Sequence, residues 1–309
     1  MSAQRIRQAV QYLSFVILMY GGRVGIHLGS ALPCFACPFV PGCGGFCYLM
    51  GLQGYIGFGL VAGAAAGKEV LVALGWFLVF VVSVALLGKV WCGWICPFGL
   101  IQDWLSWLRK KLGVRERYLS LGGKKAIGSI KHIFLILIVT LPPLITAKIL
   151  PPDLYLPFCN ICPGKLLLPL FAGETKYLAL NLDNAVTLWV SVALIAVTAS
   201  TLVAAFFKDR FFCLFCPLLA LIHFLRPLTA LRLVKEPTFC VGCGNCRRHC
   251  QMDVRVLDQN ISQAQTMECV DCLRCLEACP SSGALSLKFL GFQLFSSSRW
   301  ATSAWRRKP

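Results

Sequence analysis

Eight cysteines in the last third of the chain constrain it more than any other feature. Cys240, Cys243, Cys246 and Cys250 follow a C-x2-C-x2-C-x3-C run, and Cys269, Cys272, Cys275 and Cys279 repeat it, with Pro280 next. Two-residue spacers let three thiolates converge on one face of a small cube, while the fourth cysteine of each run ligates the other cube and locks the halves together. Soft thiolates suit iron–sulfur clusters or zinc. Eight cysteines in this doubled spacing, without a histidine ligand, argue against zinc. The expected ligands are therefore Cys240, Cys243, Cys246 and Cys279 for one [4Fe–4S] cluster, and Cys269, Cys272, Cys275 and Cys250 for a second. His249, inside the first run, reads as a surface residue or a tuner of potential. Gln251 stands where such a run often carries proline, and the cost is expected to be small because Cys250 still supplies its thiolate.

The remainder of the 309 residues is of another kind. The chain is 57% hydrophobic and 14% charged, against about 25% charged in an average soluble protein. With a mean hydropathy of +0.71, it falls in the membrane class. Segments 10–28, 70–90, 130–150 and 185–207 each approach the ~20 residues that a membrane crossing needs. The 30 Lys+Arg against 13 Asp+Glu give a formal charge of +17, but the basic residues cluster in short loops beside apolar segments. That is the positive-inside pattern rather than a nucleic-acid surface. Arg5 and Arg7, the loop from Lys89 to Lys131, and the stretch from Lys208 to Lys235 all fall on one side if there are four crossings. That side is read as cytoplasmic, with the N-terminus and the Cys-rich C-terminal domain. The glycine-rich run 48–66 is then re-entrant or interfacial, which requires shielding by protein. The first apolar segment is expected to stay as a helix and not to be cleaved as a signal peptide.

An internal repeat organises eight of the ten further cysteines. Cys34-Phe35-Ala36-Cys37-Pro38 follows the first apolar segment and Cys159-Asn160-Ile161-Cys162-Pro163 the third. Cys92-Gly93-Trp94-Ile95-Cys96-Pro97 ends the second, and Cys213-Leu214-Phe215-Cys216-Pro217 the fourth. Each half reads helix, outer pair, helix, inner pair, so the repeat is parallel. Cys92, Cys96, Cys213 and Cys216 form an inner set of four, and Cys34, Cys37, Cys159 and Cys162 an outer set of four, each the number one [4Fe–4S] cluster takes. The bland alternative is buried structural thiols, or outer disulfides. Cys43 and Cys47 break the symmetry: they could replace one outer pair as ligands, form a disulfide, or act as a redox dithiol. The expected fold is mainly α: a four-helix transmembrane bundle with a parallel repeat (1–125 and 126–235), a C-terminal α+β ferredoxin domain (236–288) and a basic tail (289–309) on the membrane surface.

The motif from Cys92 to Gly99, the second Cys-Pro element at 213–217 and the doubled C-terminal run together resemble the NapH/MauN family of membrane ferredoxins, and the membrane core is similar to NosR-type proteins. The resemblance implies a polytopic protein moving electrons between the quinone pool or a cytoplasmic donor and an enzyme outside. Its outer cysteines are richer than the plain family pattern. A quinone site needs proton-handling groups, for which Asp103 and His223, each seven residues after an inner Cys-Pro cysteine, are candidates. Arg23 and His27 lie toward the outer end of the first segment. Rival readings are a quinol dehydrogenase using the inner clusters only, and a metal- or thiol-reducing assembly factor acting through Cys43 and Cys47. Membrane lipid and other redox subunits are the expected partners.

Overall fold

The computed structural model describes the chain apart from residues 1–2, 29–31, 34–35, 57–66, 118, 151–157, 181, 255–267 and 298–309. The long helices are α1 (Ala3–Tyr20), α3 (Gly67–Leu87), α5 (Leu121–Thr146) and α7 (Ala185–Phe207). Short helices α2 (Tyr48–Gly54), α4 (Pro97–Lys111), α6 (Pro163–Phe171) and α8 (Pro217–Phe224) each start directly after a cysteine. The stretches Gly122–Thr146 and Ala185–Phe207 are long and apolar enough to cross a membrane, and Leu71–Leu87 is a shorter apolar helix. α7 begins where Asn184 and Thr187 close a capping box: the Thr187 N–H donates to Asn184 Oδ1 at 2.8 Å and the Asn184 N–H to Thr187 Oγ1 at 3.2 Å, satisfying donors that a helix start leaves open. Large apolar side chains face outward on these helices, among them Phe77, Leu78, Ile136, Trp189 and Val203. A continuous apolar exterior of this kind calls for an apolar surrounding.

α1 departs from the expected crossing at 10–28. It starts at Ala3 and stops at Tyr20, where Gly21–Val24 form a 3-10 turn closed by Gly25 at φ 79°. Its buried face carries Arg7 and Gln11 together with Phe15 and Met19, so it is an amphipathic helix packed on protein. Of the run 48–66, α2 covers Tyr48–Gly54 and residues 57–66 lie outside the described residues.

The C-terminal domain is built on an antiparallel sheet, β1 (Leu231–Lys235), β2 (Leu285–Phe289) and β3 (Phe292–Ser296), in the order β1-β2-β3. Leu233 pairs with Leu287, and Leu287 with Phe295. β1 alternates buried and outward residues, as a half-buried strand should. The sheet reaches past both ends of 236–288, because β2 needs a partner on each edge. Of the expected basic tail, residues 298–309 lie outside the described residues.

All four long helices present one end to this domain. At the start of α1, the Gln4 amide donates to the Cys272 carbonyl at 2.7 Å. Lys124, at the start of α5, donates to the carbonyls of Met252 and Asp253. In the last turn of α3 the Ala85 carbonyl accepts the Ala230 N–H. Just past the end of α7, Asp209 faces Arg274 at 3.9 Å. The long helices therefore alternate in direction, and the N-terminus lies on the same face as the Cys-rich domain.

Candidate metal centres

The two C-terminal runs are bent by the same device. The residues flanking the middle cysteine are left-handed in both: Gly242 (φ 65°) and Gly244 (φ 67°) around Cys243, Asp271 (φ 49°) and Leu273 (φ 58°) around Cys272. Glycine adopts this conformation freely, whereas Asp271 and Leu273 are held in it at a cost. The bend turns successive thiols to one side. In the second run a small cavity is lined by Cys250, Cys269, Cys272 and Cys275, walled by apolar neighbours such as Leu233, Met252 and Val270. Cys279 sits electrostatically beside Cys243 and Cys240, so each run sends its last cysteine across to the other. Burial pushes the Cys250 thiol up to about 11; a ligand that binds the thiolate must therefore displace a proton. Among the described residues no three Cys, His, Asp or Glu side chains approach closely enough to share a single metal ion. Thiols spaced around a cavity suit a cluster of several iron and sulfur atoms instead.

A second small cavity is lined by Cys92, Cys96, Cys213 and Cys216. Every pair among these four thiols interacts electrostatically. A π-helical turn, Trp91–Ile95, sets Cys92 and Cys96. Cys96 caps α4 (φ −60°, ψ 117°) and Cys216 caps α8 (φ −67°, ψ 118°), each with proline at the first helical position, where its missing N–H costs nothing. Gln102, buried on α4, crosses to the other half. Its Oε1 accepts the Phe212 N–H at 3.0 Å, and its Nε2 lies 3.8 Å from Cys213 Sγ.

The two cavities are joined by close backbone contact. A Cβ at Gly93 would run into the Val270 carbonyl, and Trp94 Nε1 donates to the Asp271 carbonyl at 2.9 Å. Beneath this seam lies a buried ion cluster centred on Asp103. Its carboxylate accepts from Arg210 at 2.6 and 3.0 Å, from Arg7 at 3.1 Å, from Gln11 at 3.2 Å and from Gln251 at 2.8 Å. The same arginines reach the chain at the cavity: Arg7 donates to the Gly93 carbonyl and Arg210 to the Cys92 carbonyl. Burial alone would raise the Asp103 pKa, but Arg210 and Arg7 hold it well below the usual carboxylate range. Asp103 thus ties α1, the segment after α7 and the C-terminal domain together. Gln251, far from being a neutral departure, is one of these ties. His223 has other partners. Burial, then Lys89, lowers its pKa to about 4, and its Nδ1 lies 3.2 Å from Lys89 Nζ; neutral imidazole accepts from the ammonium. His249 bonds the Asn245 carbonyl within its own run.

Asp209 forms a second ion cluster, with Arg109 at 2.7 Å, Lys110 at 3.8 Å and Arg274 at 3.9 Å. Burial raises its pKa, but Lys110, Arg109 and Arg274 outweigh that and lower it overall. A carboxylate depressed in the folded state stabilises above its unfolded pKa, about 3.9, and that contribution is lost as pH falls through the folded value. Asp209→Asn should therefore lower the melting temperature at pH 7, and the gap to wild type should close as the pH is brought below about 4. A gap independent of pH would refute the ionic role.

At the opposite end, Cys37, Cys47, Cys159 and Cys162 are 5–7% exposed. Cys34 lies outside the described residues. Cys43 donates to the carbonyls of Leu18 and Gly45, at 3.2 and 2.8 Å. The 32–47 loop dips toward the inner cavity: Pro33 lines that cavity, and Leu18 and Ala36 pack with Leu32, Trp91 and Ile95. Arg23 stacks on Tyr20 and His27 is exposed. Gln53, Gln102, Arg7 and Arg210 were not legible as site residues by type. The signal was spacing, since each glutamine follows a cysteine, Cys47 or Cys96, by six positions.

Comparison with known proteins bears on the same segments. The family described as 4Fe-4S binding domain matches twice, at residues 70–115 and 189–235, and the 4Fe-4S dicluster domain matches at 232–280. YccM of Escherichia coli, named as a proposed electron transport protein, is 23% identical over 207 residues, 67% of this chain and 53% of its own length. The ferredoxin-type protein NapH of Haemophilus influenzae is 49% identical over 39 residues, 12% of this chain and 14% of NapH. The methylamine utilization ferredoxin-type protein MauN of Methylorubrum extorquens is 38% identical over 61 residues, 19% of this chain and 21% of MauN. The chain thus spans about half the length of YccM. No solved structure matches.

Proposed function

The chain belongs to the NapH/MauN-type ferredoxin family of iron–sulfur electron transport proteins, and on that premise we propose that it is a multi-pass membrane protein conducting electrons between its ferredoxin domain and a membrane quinone or an outer-side redox partner. The [4Fe–4S] clusters it binds supply one-electron transfer. Cys240, Cys243, Cys246 and Cys279 hold one; Cys269, Cys272, Cys275 and Cys250 hold a second. Cys92, Cys96, Cys213 and Cys216 hold a third between the two halves of the membrane part. The single observation that carries this reading is the second cavity, lined by the four inner thiols, with the 269–272 segment laid directly on its wall through Gly93 and Trp94. A ferredoxin domain merely tethered to an anchor would not need that contact.

The protein's own groups do the rest. Val270, Leu273 and Met252 exclude water from the domain's inner cavity. Lys89, 3% exposed and near Cys269, Asp271 and Cys92, places a positive charge at the seam, where it offsets negative charge on both thiolate sets. Basic residues gathered at the ferredoxin face favour the cytoplasmic side for that domain and for the N-terminus. The antiparallel course of α1, α3, α5 and α7 supports four passes, with α1 shielded by protein because of Arg7 and Gln11.

Iron and acid-labile sulfide per chain, read with EPR of the reduced protein, test the reading. Each ligand set contributes about four iron. Exchanging Cys213 and Cys216 for serine should remove about four iron per chain while the EPR signals of the ferredoxin domain persist. Iron content unchanged by the double exchange would sink the inner centre.

A further inference from the structure

The outer end repeats the architecture of the inner cavity more closely than its Cys-Pro spelling suggests. Four cysteines cap short helices with nearly the same backbone: Cys47 before α2 (φ −74°, ψ 120°), Cys96 before α4 (φ −60°, ψ 117°), Cys162 before α6 (φ −74°, ψ 122°) and Cys216 before α8 (φ −67°, ψ 118°). Cys47 alone lacks the following proline. Gln53, on α2 and fully buried, makes the contacts that Gln102 makes on α4. Its Nε2 donates to the Leu49 carbonyl at 2.8 Å and lies 3.6 Å from Cys159 Sγ, while its Oε1 accepts the Phe158 N–H at 3.3 Å. Gln102 likewise contacts the Phe98 carbonyl, Cys213 Sγ and the Phe212 N–H. Each glutamine thus latches one half's helix to the backbone just before the other half's cysteine pair, with an N–H directed at the first sulfur of that pair.

We propose that Cys37, Cys47, Cys159 and Cys162 hold a further [4Fe–4S] cluster, latched by Gln53, and that Cys43 is not a ligand. This rests on the membrane-cluster reading above and changes its outer ligands. Strict repetition would choose Cys43, since Cys43 and Cys47 share the C-x3-C spacing of Cys92 and Cys96. The geometry chooses Cys37. Its thiol is buried and interacts electrostatically with those of Cys47, Cys159 and Cys162, which also interact with one another. Cys43 interacts with the thiols of Cys37 and Cys47 but not with those across the site, Cys159 and Cys162; it is half-buried and spends its S–H on the Leu18 and Gly45 carbonyls. Cys37 thus stands within the set, and Cys43 packs beside it against Leu18 and Ala36.

The glutamine N–H matters because hydrogen bonds to cluster sulfurs are one determinant of reduction potential. Native mass spectrometry of the anaerobically purified wild-type chain should find about sixteen iron, four sets of about four. About twelve would overturn the outer centre and leave the proposed function standing; about eight would overturn both. Cys47→Ser and Cys37→Ser should each lower the count by about four with the other EPR signals unchanged, while Cys43→Ser keeps full iron. Loss of iron in Cys43→Ser with full iron in Cys37→Ser would reassign the ligand and refute the proposal as stated. Gln53→Leu should retain iron and move one EPR-monitored midpoint to lower potential, and Gln102→Leu should move a different one. A Gln53→Leu titration superimposable on wild type would remove the latch from the argument.

Discussion

Replacing Asp103 by alanine should cost the folded state about 3–5 kcal/mol, the range seen when one partner of a buried ion pair is removed. The loss is large because of what stays behind. Arg7 and Arg210 are 1% and 0% exposed, and both send donors to the Asp103 carboxylate. Without it, two guanidiniums remain in a nearly water-free site, and the Gln251 amide loses its acceptor. The damage should extend beyond stability. Arg210 and Arg7 also hold the carbonyls of Cys92 and Gly93, so the Cys92–Cys96 turn loses its support. Denaturant unfolding in detergent, followed by tryptophan fluorescence, is the measurement, with iron content in parallel. A loss under about 1 kcal/mol, the scale of an exposed pair, would mean that the arginines find other partners and that the cluster is not structural.

Gly93→Val is expected to leave every cysteine in place and to break the connection between them. The obstruction at Gly93 is the Val270 carbonyl, and backbone next to the left-handed Asp271 has little room to yield. The ferredoxin domain would be displaced from the inner cavity and the Trp94 bond to Asp271 would be lost. In positioned reactions a displacement of about 1 Å can cost about a hundredfold in rate, and a loss of that order is expected here. Rapid-freeze EPR checks it: ferredoxin-domain signals should appear with wild-type amplitude on reduction, and the inner signal should follow about a hundredfold more slowly. Full iron with a wild-type rate would remove the seam from the electron route. Gly93→Ala, which adds only the Cβ, should fall between the two.

The chain's own order of residues determined a good deal. The doubled C-terminal spacing pointed to eight proposed ligands in crossed pairing, because a cube of iron and sulfur imposes its dimensions on the spacers between thiols. The inner Cys-Pro pairs were legible for a similar reason: proline directly after cysteine fits a helix start, and two helix starts facing one another make a four-thiol site. Hydropathy and charge marked α5 and α7 as apolar enough to cross a membrane.

What remained was decided by contacts between distant parts of the chain. Cys47 starts a helix as Cys96 does but is followed by tyrosine, so a search keyed on Cys-Pro passes over it. Cys37 carries the proline yet sits in a turn, and only the path of its loop brings it to Cys159 and Cys162. Asp103 was singled out by its distance from Cys96, but the arginines that hold its carboxylate lie 96 and 107 residues away, out of reach of any local pattern. Gln251 looked like a harmless departure from proline until α4 supplied its acceptor. A cluster's ligand spacing is a local property that the order of residues carries directly. The charge state and role of a buried polar group depend on which long-range partners replace water around it, and the folded chain alone decides those.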